Sequence, residues 1–566
     1  MTSACSGSSS TMSTWARGGV PSSSALVDPV MVRIVSVTEL GRPILVPPEP
    51  PSRRYSWMMS SRQVPIRPDA PDPGQGSTPA DQGASREDPF EGRRIHLLGI
   101  GGSGMSGLAR ILHDRGALPS GADAIESEVV SGLRASGIRV ATGEDPVASE
   151  IPQDCELVVS SAAIRSDDPA LERAHAANIR TLTYAEAVGL AMKGRIGVSI
   201  AGTHGKSTTT SMLAHCLVEC GLDPSYIAGA RCPQLGGGWR VGAARIGTEE
   251  TSRPGIFVAE ACEFNRSFHR HRPTMALINN VEEDHLDFYG SIDEIVESFR
   301  DFARLLPAAK EGGKLLIAHD GGHRREICSG LTSEVRTFGF APSADYQIIH
   351  DASAGRIGLM EDGAFVAGWD TKLAGDYNAL NAGAAAILAH WLGAEWDQIA
   401  EALESFEGVE RRMQRLGTVD TRDGGAAVVI DDYGHHPSEC EATLRAIRTS
   451  MRPRRLICVF QPHQHSRTRF LLEQFAHAFG QADLVIVPEI YFVRDSEEER
   501  RRISASDLVD RLRASGTTAM HAHPFEAIVE HLEEVLCNED LVVVMGAGPV
   551  WRIGHDLVAR NHGDDA

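Results

Sequence analysis

The ten cysteines of this 566-residue chain include no CxxC pair. Neither the disulfide framework of a small secreted domain nor a cysteine-rich zinc site is therefore written into it. Cys216 and Cys220 lie four apart, but on a segment that reads as a helix with apolar neighbours, so buried thiols acting as small hydrophobes explain them best. No apolar run approaches the ~18 residues that span a bilayer, and the first thirty residues lack the apolar core of a secretory signal. Together these absences predict a cytoplasmic protein with no membrane partner. Basic charge is also short: 55 Lys and Arg stand against 76 Asp and Glu, for a formal net charge of −21. Nucleic-acid binding rests on a basic surface that releases phosphate counterions, so no nucleic-acid partner is expected.

Residues 1–92 are short of apolar periodicity. Ser8-Ser9-Ser10, Pro47-Pro48 and the stretch from Pro65 to Gly83 set their composition. Such a segment buries too little to offset its ordering entropy, and it reads as a disordered extension. It is either a genuine tail or the product of an upstream start, with Met58 or Met59 as internal starts.

From Arg93 onward the chain alternates. Ile95 to Leu98 reads as a strand followed by a Gly-rich turn and an apolar helix. Leu157 to Val159, Ile196 to Ile200, Ala426 to Ile430, Arg455 to Phe460, Leu484 to Val487 and Leu541 to Met545 read as further strands. Strands alternating with helices imply parallel sheets covered on both faces. Three consecutive α/β units are predicted: a Rossmann-like unit over 93–191, a P-loop-type unit over 192–408, and a second Rossmann-like unit over 409–566.

Gly99 to Gly104 has the GxGxxG spacing between a strand and a helix, where a phosphate can approach backbone N–H groups. A nucleotide-type ligand and a purely structural turn both fit. Asp123 lies near the right distance for a dinucleotide acid, but Leu118-Pro119-Ser120-Gly121-Ala122 makes a poor strand before it. The loop Gly202-Thr203-His204-Gly205-Lys206-Ser207 is more specific. It follows a strand and opens a helix at Thr208, so successive N–H groups can wrap phosphates, Lys206 can neutralise them, and the Ser207 hydroxyl can hold Mg²⁺. The usual first glycine of a P-loop falls at Ile200, so Gly202 acts from closer in. Two later strands run into Glu260 and into Glu283-Asp284-His285. Strand C-termini of a parallel sheet share one edge, so Glu260 and His285 are candidate ligands beside Ser207.

Further on, Asp431 to Pro437 and Gln461 to Thr468 each follow a strand, with Ser438 and Glu441 spaced as a helix capping box. Both runs face one edge and suggest a substrate site. The planar fork of Arg467 suits a carboxylate.

Together these stretches resemble the Mur ligase family from about Arg93 to the C-terminus. The segments are GIGGSGMSGLA at Gly99, SSAAI at Ser160, AGTHGKSTTT at Ala201, EACEFNRSF at Glu260 and NNVEEDHLDFY at Asn279. They continue with GDYNALNA at Gly375, GVERRMQ at Gly408, DDYGHHP at Asp431, FQPHQHSRT at Phe460 and VVVMGAG at Val542. The resemblance implies ATP-dependent joining of L-alanine to the lactyl carboxylate of UDP-N-acetylmuramate through an acyl phosphate, by a monomer or weak homodimer. It implies that Gly202, Thr203, His204, Gly205, Lys206, Ser207 and Thr208 hold ATP phosphates, with Mg²⁺ on Ser207, Glu260 and His285. Asn378 and Asn381 match adenine-binding positions, and Arg412 and Asp432 match nucleotide contacts. Gly101, Gly102, Ser103, Gly104, Met105, Ser160 and Ser161 fall to the UDP-sugar. Tyr433, His435, His463 and Arg467 match the pocket for the incoming alanine, where His435 or His463, with a near-neutral pKa, would assist loss of the amine proton.

Several positions depart from the family pattern. Ser207 replaces the commoner Thr, Tyr377 stands where His often precedes the adenine asparagine, Gln464-His465 replaces Arg-Tyr, and Pro488-Glu489-Ile490 replaces Pro-Ala-Gly. Two rival readings stay within reach of the motifs. One is a family member that attaches a whole murein tripeptide, which tends to carry Phe-Ala where this chain has Tyr433-Gly434. Another is a nucleotide-binding regulator without ligase activity. A nicotinamide-dependent oxidoreductase would leave the Lys206 loop unexplained.

Overall fold

A computed structural model of the chain describes residues 88–143, 151–165, 167–286, 288–493 and 495–562. Most of the expected extension, residues 1–87, lies outside them. Its last residues do not: Phe90 is fully buried and Arg115 clasps Asp88, so packing begins ahead of the predicted Arg93.

Among the described residues three large sheets carry the fold, beside a two-stranded ribbon of Arg245–Ile246 and Arg253–Pro254. The first orders its five parallel strands Arg139–Thr142, Leu118–Asp123, Arg94–Leu98, Leu157–Ser160, Arg180–Thr183. Strand order reverses at Arg94–Leu98, and the crevice this opens above the strand C-termini lies at the Gly99 loop. The segment that looked too poor to form a strand is one: Leu118 to Ala122 pairs in register with Arg94 to Leu98. The reason is close packing. A Cβ on Gly121 would lie 2.5 Å from Leu97 O and 2.6 Å from Ile100 Cδ1, so the small residue is required and tertiary fit outweighs β-propensity.

The second sheet has ten strands. At its centre Ile256–Glu260, Ile196–Ala201 and Met275–Ile278 lie side by side and parallel, and Lys314–Ala318 continues beyond Met275–Ile278. Their near-continuous apolar sequences are those of strands buried on both faces. Helices Lys206–Glu219 and Asp376–Trp391 pack on this sheet in one core, where Cys216 is fully buried. The first unit docks here too: a Cβ on Gly107 of helix Ser103–Asp114 would meet Trp239 Cβ at 3.2 Å.

The third sheet orders Gln414–Asp420, Ala426–Asp432, Asp540–Met545, Arg455–Phe460, Leu484–Val487, Ala519–His521, parallel except for its first strand. The helix after Asp432 begins two residues earlier than predicted. Pro437 takes its first position, His436 is the cap, and Glu439 rather than Glu441 closes the capping box. No helix among the described residues is long and apolar enough to cross a membrane.

Candidate functional site

The Gly202 loop turns sharply between strand Ile196–Ala201 and helix Lys206–Glu219. Gly205 has φ 81°, and a Cβ there would lie 2.4 Å from Asn381 Oδ1. Only glycine fits. The helix N-terminus supplies unpaired N–H groups and a favourable dipole for anions. Lys206 Nζ folds back to donate to Gly202 O at 2.7 Å and Thr203 O at 2.9 Å, and it pairs with Glu263 at 3.0 Å. Burial opposes the ammonium charge, but Glu263, with Cys262 and Glu260 behind it, outweighs that penalty and holds Lys206 protonated above its ordinary range.

Strand adjacency brings Ser207 and Glu260 together as predicted. The Ser207 hydroxyl donates to Glu260 Oε2 at 2.7 Å, and Gly229 N–H donates to the same oxygen at 2.7 Å. Two oxygen donors in contact suit a hard cation. His285 approaches by another route. Its Nε2 is 3.7 Å from Asp284 and 3.9 Å from Glu263, and Phe264 packs on its ring with centroids 4.9 Å apart. Glu263, which also holds Lys206, is thus the link between the loop and His285. The sequence reading missed it, although it sits three residues after Glu260 in the same strand-end run.

Beside the loop opens a cavity of 510 Å³. His204, Gly205, Thr208, Asn378 and Asn381 line it from the central unit, and Arg412, Asp432 and Glu439 from the third. Asn381 Oδ1 lies 3.1 Å from Thr209 Oγ1 and 3.3 Å from Asn279 Nδ2, which ties the predicted adenine residue to the loop itself. Asn378 donates to Ala374 O at 2.8 Å. Burial raises Asp432 to about 6, while Arg412 and the N–H groups of Gly434 and Met413 pull the other way. Tyr377, at the position of a departure, also borders this cavity and places its hydroxyl 2.7 Å from Met413 Sδ.

A second cavity of 210 Å³ gathers Tyr433, His435, His463 and Arg467 with His285, Phe264 and Gln464. All four residues predicted for this pocket are present in it. Ring centroids of His435 and His463 are 5.7 Å apart, and those of Tyr433 and His435 5.4 Å. His435 Nδ1 lies 3.1 Å from the Tyr433 carbonyl, which makes Nδ1 the protonated nitrogen and leaves the Nε2 lone pair available. One expectation needs correction: burial, with Arg467 adding to it, lowers His435 to about 4 rather than leaving it near neutral. Arg467 Nη2 donates to buried Asp284 Oδ1 at 2.8 Å, a partner the sequence reading did not assign.

At the first sheet, Ser161 N–H donates to Leu98 O at 3.0 Å, and a Cβ on Gly99 would lie 3.0 Å from Ser161 Cβ. Ser160 and Ser161 thus adjoin the loop of Gly101, Gly102, Ser103 and Gly104. The Met105 side chain is buried in the core, leaving only its backbone for any ligand. Asp123 ends the second strand and accepts from Gly101 N–H at 2.8 Å, so this carboxylate braces the Gly-rich loop. Tyr184 covers Gly104, where a Cβ would come within 2.8 Å of its hydroxyl.

Comparison with known proteins covers the same ground. Residues 94–195 match the Mur ligase family catalytic domain, residues 200–389 the Mur ligase middle domain, and residues 411–548 the Mur ligase glutamate ligase domain. A UDP-N-acetylmuramate–L-alanine ligase of Acetivibrio thermocellus is 36% identical over 473 residues, 82% of this chain and 96% of that protein. Its counterpart in Paenarthrobacter aurescens is 39% identical over 82% of this chain and 96% of its own length. Among solved structures, UDP-N-acetylmuramate–alanine ligase MurC of Thermotoga maritima superposes with a TM-score of 0.67 at 25% identity, covering 83% of this chain and 100% of that one. A murein peptide ligase of Psychrobacter arcticus shares the fold, with a TM-score of 0.63 at 23% identity, covering 84% of this chain and 99% of that one.

Proposed function

The chain belongs to the Mur ligase family, and from that premise we propose that it joins L-alanine to the lactyl carboxylate of UDP-N-acetylmuramate at the expense of ATP, in the cytoplasm, during peptidoglycan precursor synthesis. The observation that carries the choice of amino acid is the cavity of Tyr433, His435, His463 and Arg467. At 210 Å³ it is the smaller of the two cavities at the site. Its small size beside the 510 Å³ nucleotide cavity supports a single small amino acid as the acceptor.

In this reading residues 93–191 bind the UDP-sugar, 192–408 bind ATP, and 409–566 bring the amino acid and close over both. Mg²⁺ would be held by the oxygen pair of Ser207 and Glu260, with His285, which sits against Glu263 and Asp284, as the further ligand the family resemblance implies, and it would neutralise phosphate charge. Carboxylates are poor electrophiles, so the γ-phosphoryl group passes first to the lactyl carboxylate. Lys206 stabilises the charge that develops on the transferring oxygens. The alanine amine then attacks the acyl phosphate and phosphate leaves.

Before that attack the ammonium must lose a proton. His435 is uncharged at neutral pH, with Nδ1 held by the Tyr433 carbonyl, but at about 4 it is too weak a base to keep that proton, so its Nε2 orients the amine and relays the proton to solvent. Arg467 positions the alanine carboxylate. The test is release of ADP in the presence of UDP-N-acetylmuramate, with L-alanine, L-serine, glycine and the murein tripeptide as acceptors. L-alanine should give the highest kcat/KM. Preference for the tripeptide, or ADP release independent of any amine acceptor, would overturn the reading.

A further inference from the structure

His204 of the phosphate loop, Glu282 and His436 converge at the junction of the central and third units, apart from the Ser207–Glu260 pair. One ligand atom from each lies within 4.8 Å of the others. His204 Nε2 is 3.4 Å from Glu282 Oε2. Two ligand atoms on a tetrahedral zinc ion, each at about 2.0–2.2 Å, stand about 3.3–3.6 Å apart. That pair is already spaced for a shared ion.

The outer nitrogens are anchored as metal-binding imidazoles require. His204 Nδ1 faces Glu439 Oε1 at 3.3 Å, and His436 Nε2 lies 3.0 Å from the Glu283 carbonyl. A carboxylate behind one ring and a carbonyl behind the other fix the rings and direct the inner nitrogens toward Glu282. Ser438 Oγ sits in the middle, 2.6 Å from Glu282 Oε2, 2.7 Å from His436 Nδ1 and 3.4 Å from His204 Nε2. At these hydrogen-bond distances its hydroxyl holds the centre of the cluster, so an incoming ion displaces it and takes water as the fourth ligand.

We propose that His204, Glu282 and His436 form a second metal site, selective for a borderline divalent ion such as Zn²⁺ over Mg²⁺, that pins the phosphate loop to the third unit. Two imidazoles and one carboxylate suit Zn²⁺, whereas Mg²⁺ prefers an octahedral shell made mainly of oxygen, as the Ser207–Glu260 pair begins and this nitrogen-rich set does not. Access does not require the nucleotide cavity. Glu282, His436 and Ser438 also line an outer cleft of 680 Å³ that carries His323 and His477. Binding expels the second proton of His204 and breaks the hydrogen bond from Ser438 to Glu282. His204, Glu282 and Ser438 also line the nucleotide cavity, so a filled site opposes nucleotide exchange; that consequence rests on the ATP-binding reading, whereas the site does not.

Calorimetry of the metal-free full chain with ZnCl₂, in excess MgCl₂ so that the Ser207–Glu260 site is filled, should show one equivalent of Zn²⁺ bound. His436→Asn and Glu282→Gln should each weaken binding at least tenfold, and His436→Cys should keep it, since thiolate also ligates Zn²⁺. Co²⁺ in place of Zn²⁺ should give the absorption bands of a four-coordinate site, lost in His436→Asn. Circular dichroism of each variant separates loss of a ligand from loss of fold. Zn²⁺ binding abolished by Mg²⁺, or of equal strength in a folded His436→Asn variant, would overturn the site. Because no activity is read, failure here leaves the ligase reading untouched.

Discussion

Arg467 Nη2 donates to Asp284 Oδ1 at 2.8 Å, across the junction between the third unit and the Asn279–His285 run, with both side chains buried. The cation proposed to hold the amino acid carboxylate is thus positioned by an acid from the unit proposed to bind ATP. Desolvation would raise the Asp284 carboxyl, but Arg467 and the neighbouring histidines hold it well below the usual carboxylate range. The cavity proposed for the amino acid is therefore lined from both units.

Replacing Arg467 by Lys keeps charge and removes the planar fork. The KM for L-alanine should rise at least tenfold, with a smaller change in the KM for ATP. Arg467→Ala leaves Asp284 buried without its partner, and removal of one member of such a pair costs about 3–5 kcal/mol. Urea unfolding should register that loss, and Arg467→Ala combined with Asp284→Asn should recover most of it without recovering turnover.

Lys206→Met should lower kcat at least about 100-fold, the scale of a lost transition-state charge stabiliser. It also strands Glu263, whose side chain is 3% exposed. The double variant with Glu263→Gln should regain thermal stability while ADP release stays at the level of the single variant. Recovery of turnover in the double variant would contradict the role of Lys206.

Burial would lower the pKa of His204, but Glu439 and Glu282 outweigh it and raise it from 6.5 to about 9. The folded state therefore holds a proton that the unfolded chain has released between these values. This contribution to stability is fully present below about pH 6.5 and is lost as pH rises through about 9. Unfolding free energy measured at pH 6.5 and at pH 9 should fall across the interval, and His204→Gln should flatten the fall.

Ser207→Thr preserves the hydroxyl and should keep turnover within a few-fold. Ser207→Ala removes an oxygen ligand beside Glu260, so the Mg²⁺ concentration for half-maximal ADP release should rise about tenfold or more. An unchanged Mg²⁺ requirement would remove Ser207 from the metal site.

The sequence alone determined the order of the α/β units, the Gly202–Ser207 loop and most of the candidate site residues that the structure brings together. Local chemistry sets these: strand ends, glycines and a lysine at fixed spacing need no distant partner to be recognised. Residues such as Tyr433 and His435 were legible because they follow a strand end in one short run. Tertiary structure decided what depends on docking. It turned Leu118 to Ala122 into a strand through the close approach of Gly121 to Leu97, and pulled Phe90 into the core. Docking also set Glu263 between Lys206 and His285, paired Asp284 with Arg467 across 183 positions, and buried His435 deeply enough to keep it uncharged. Charge pairing and desolvation depend on which distant segments share a low-dielectric space, and a linear pattern does not carry that information.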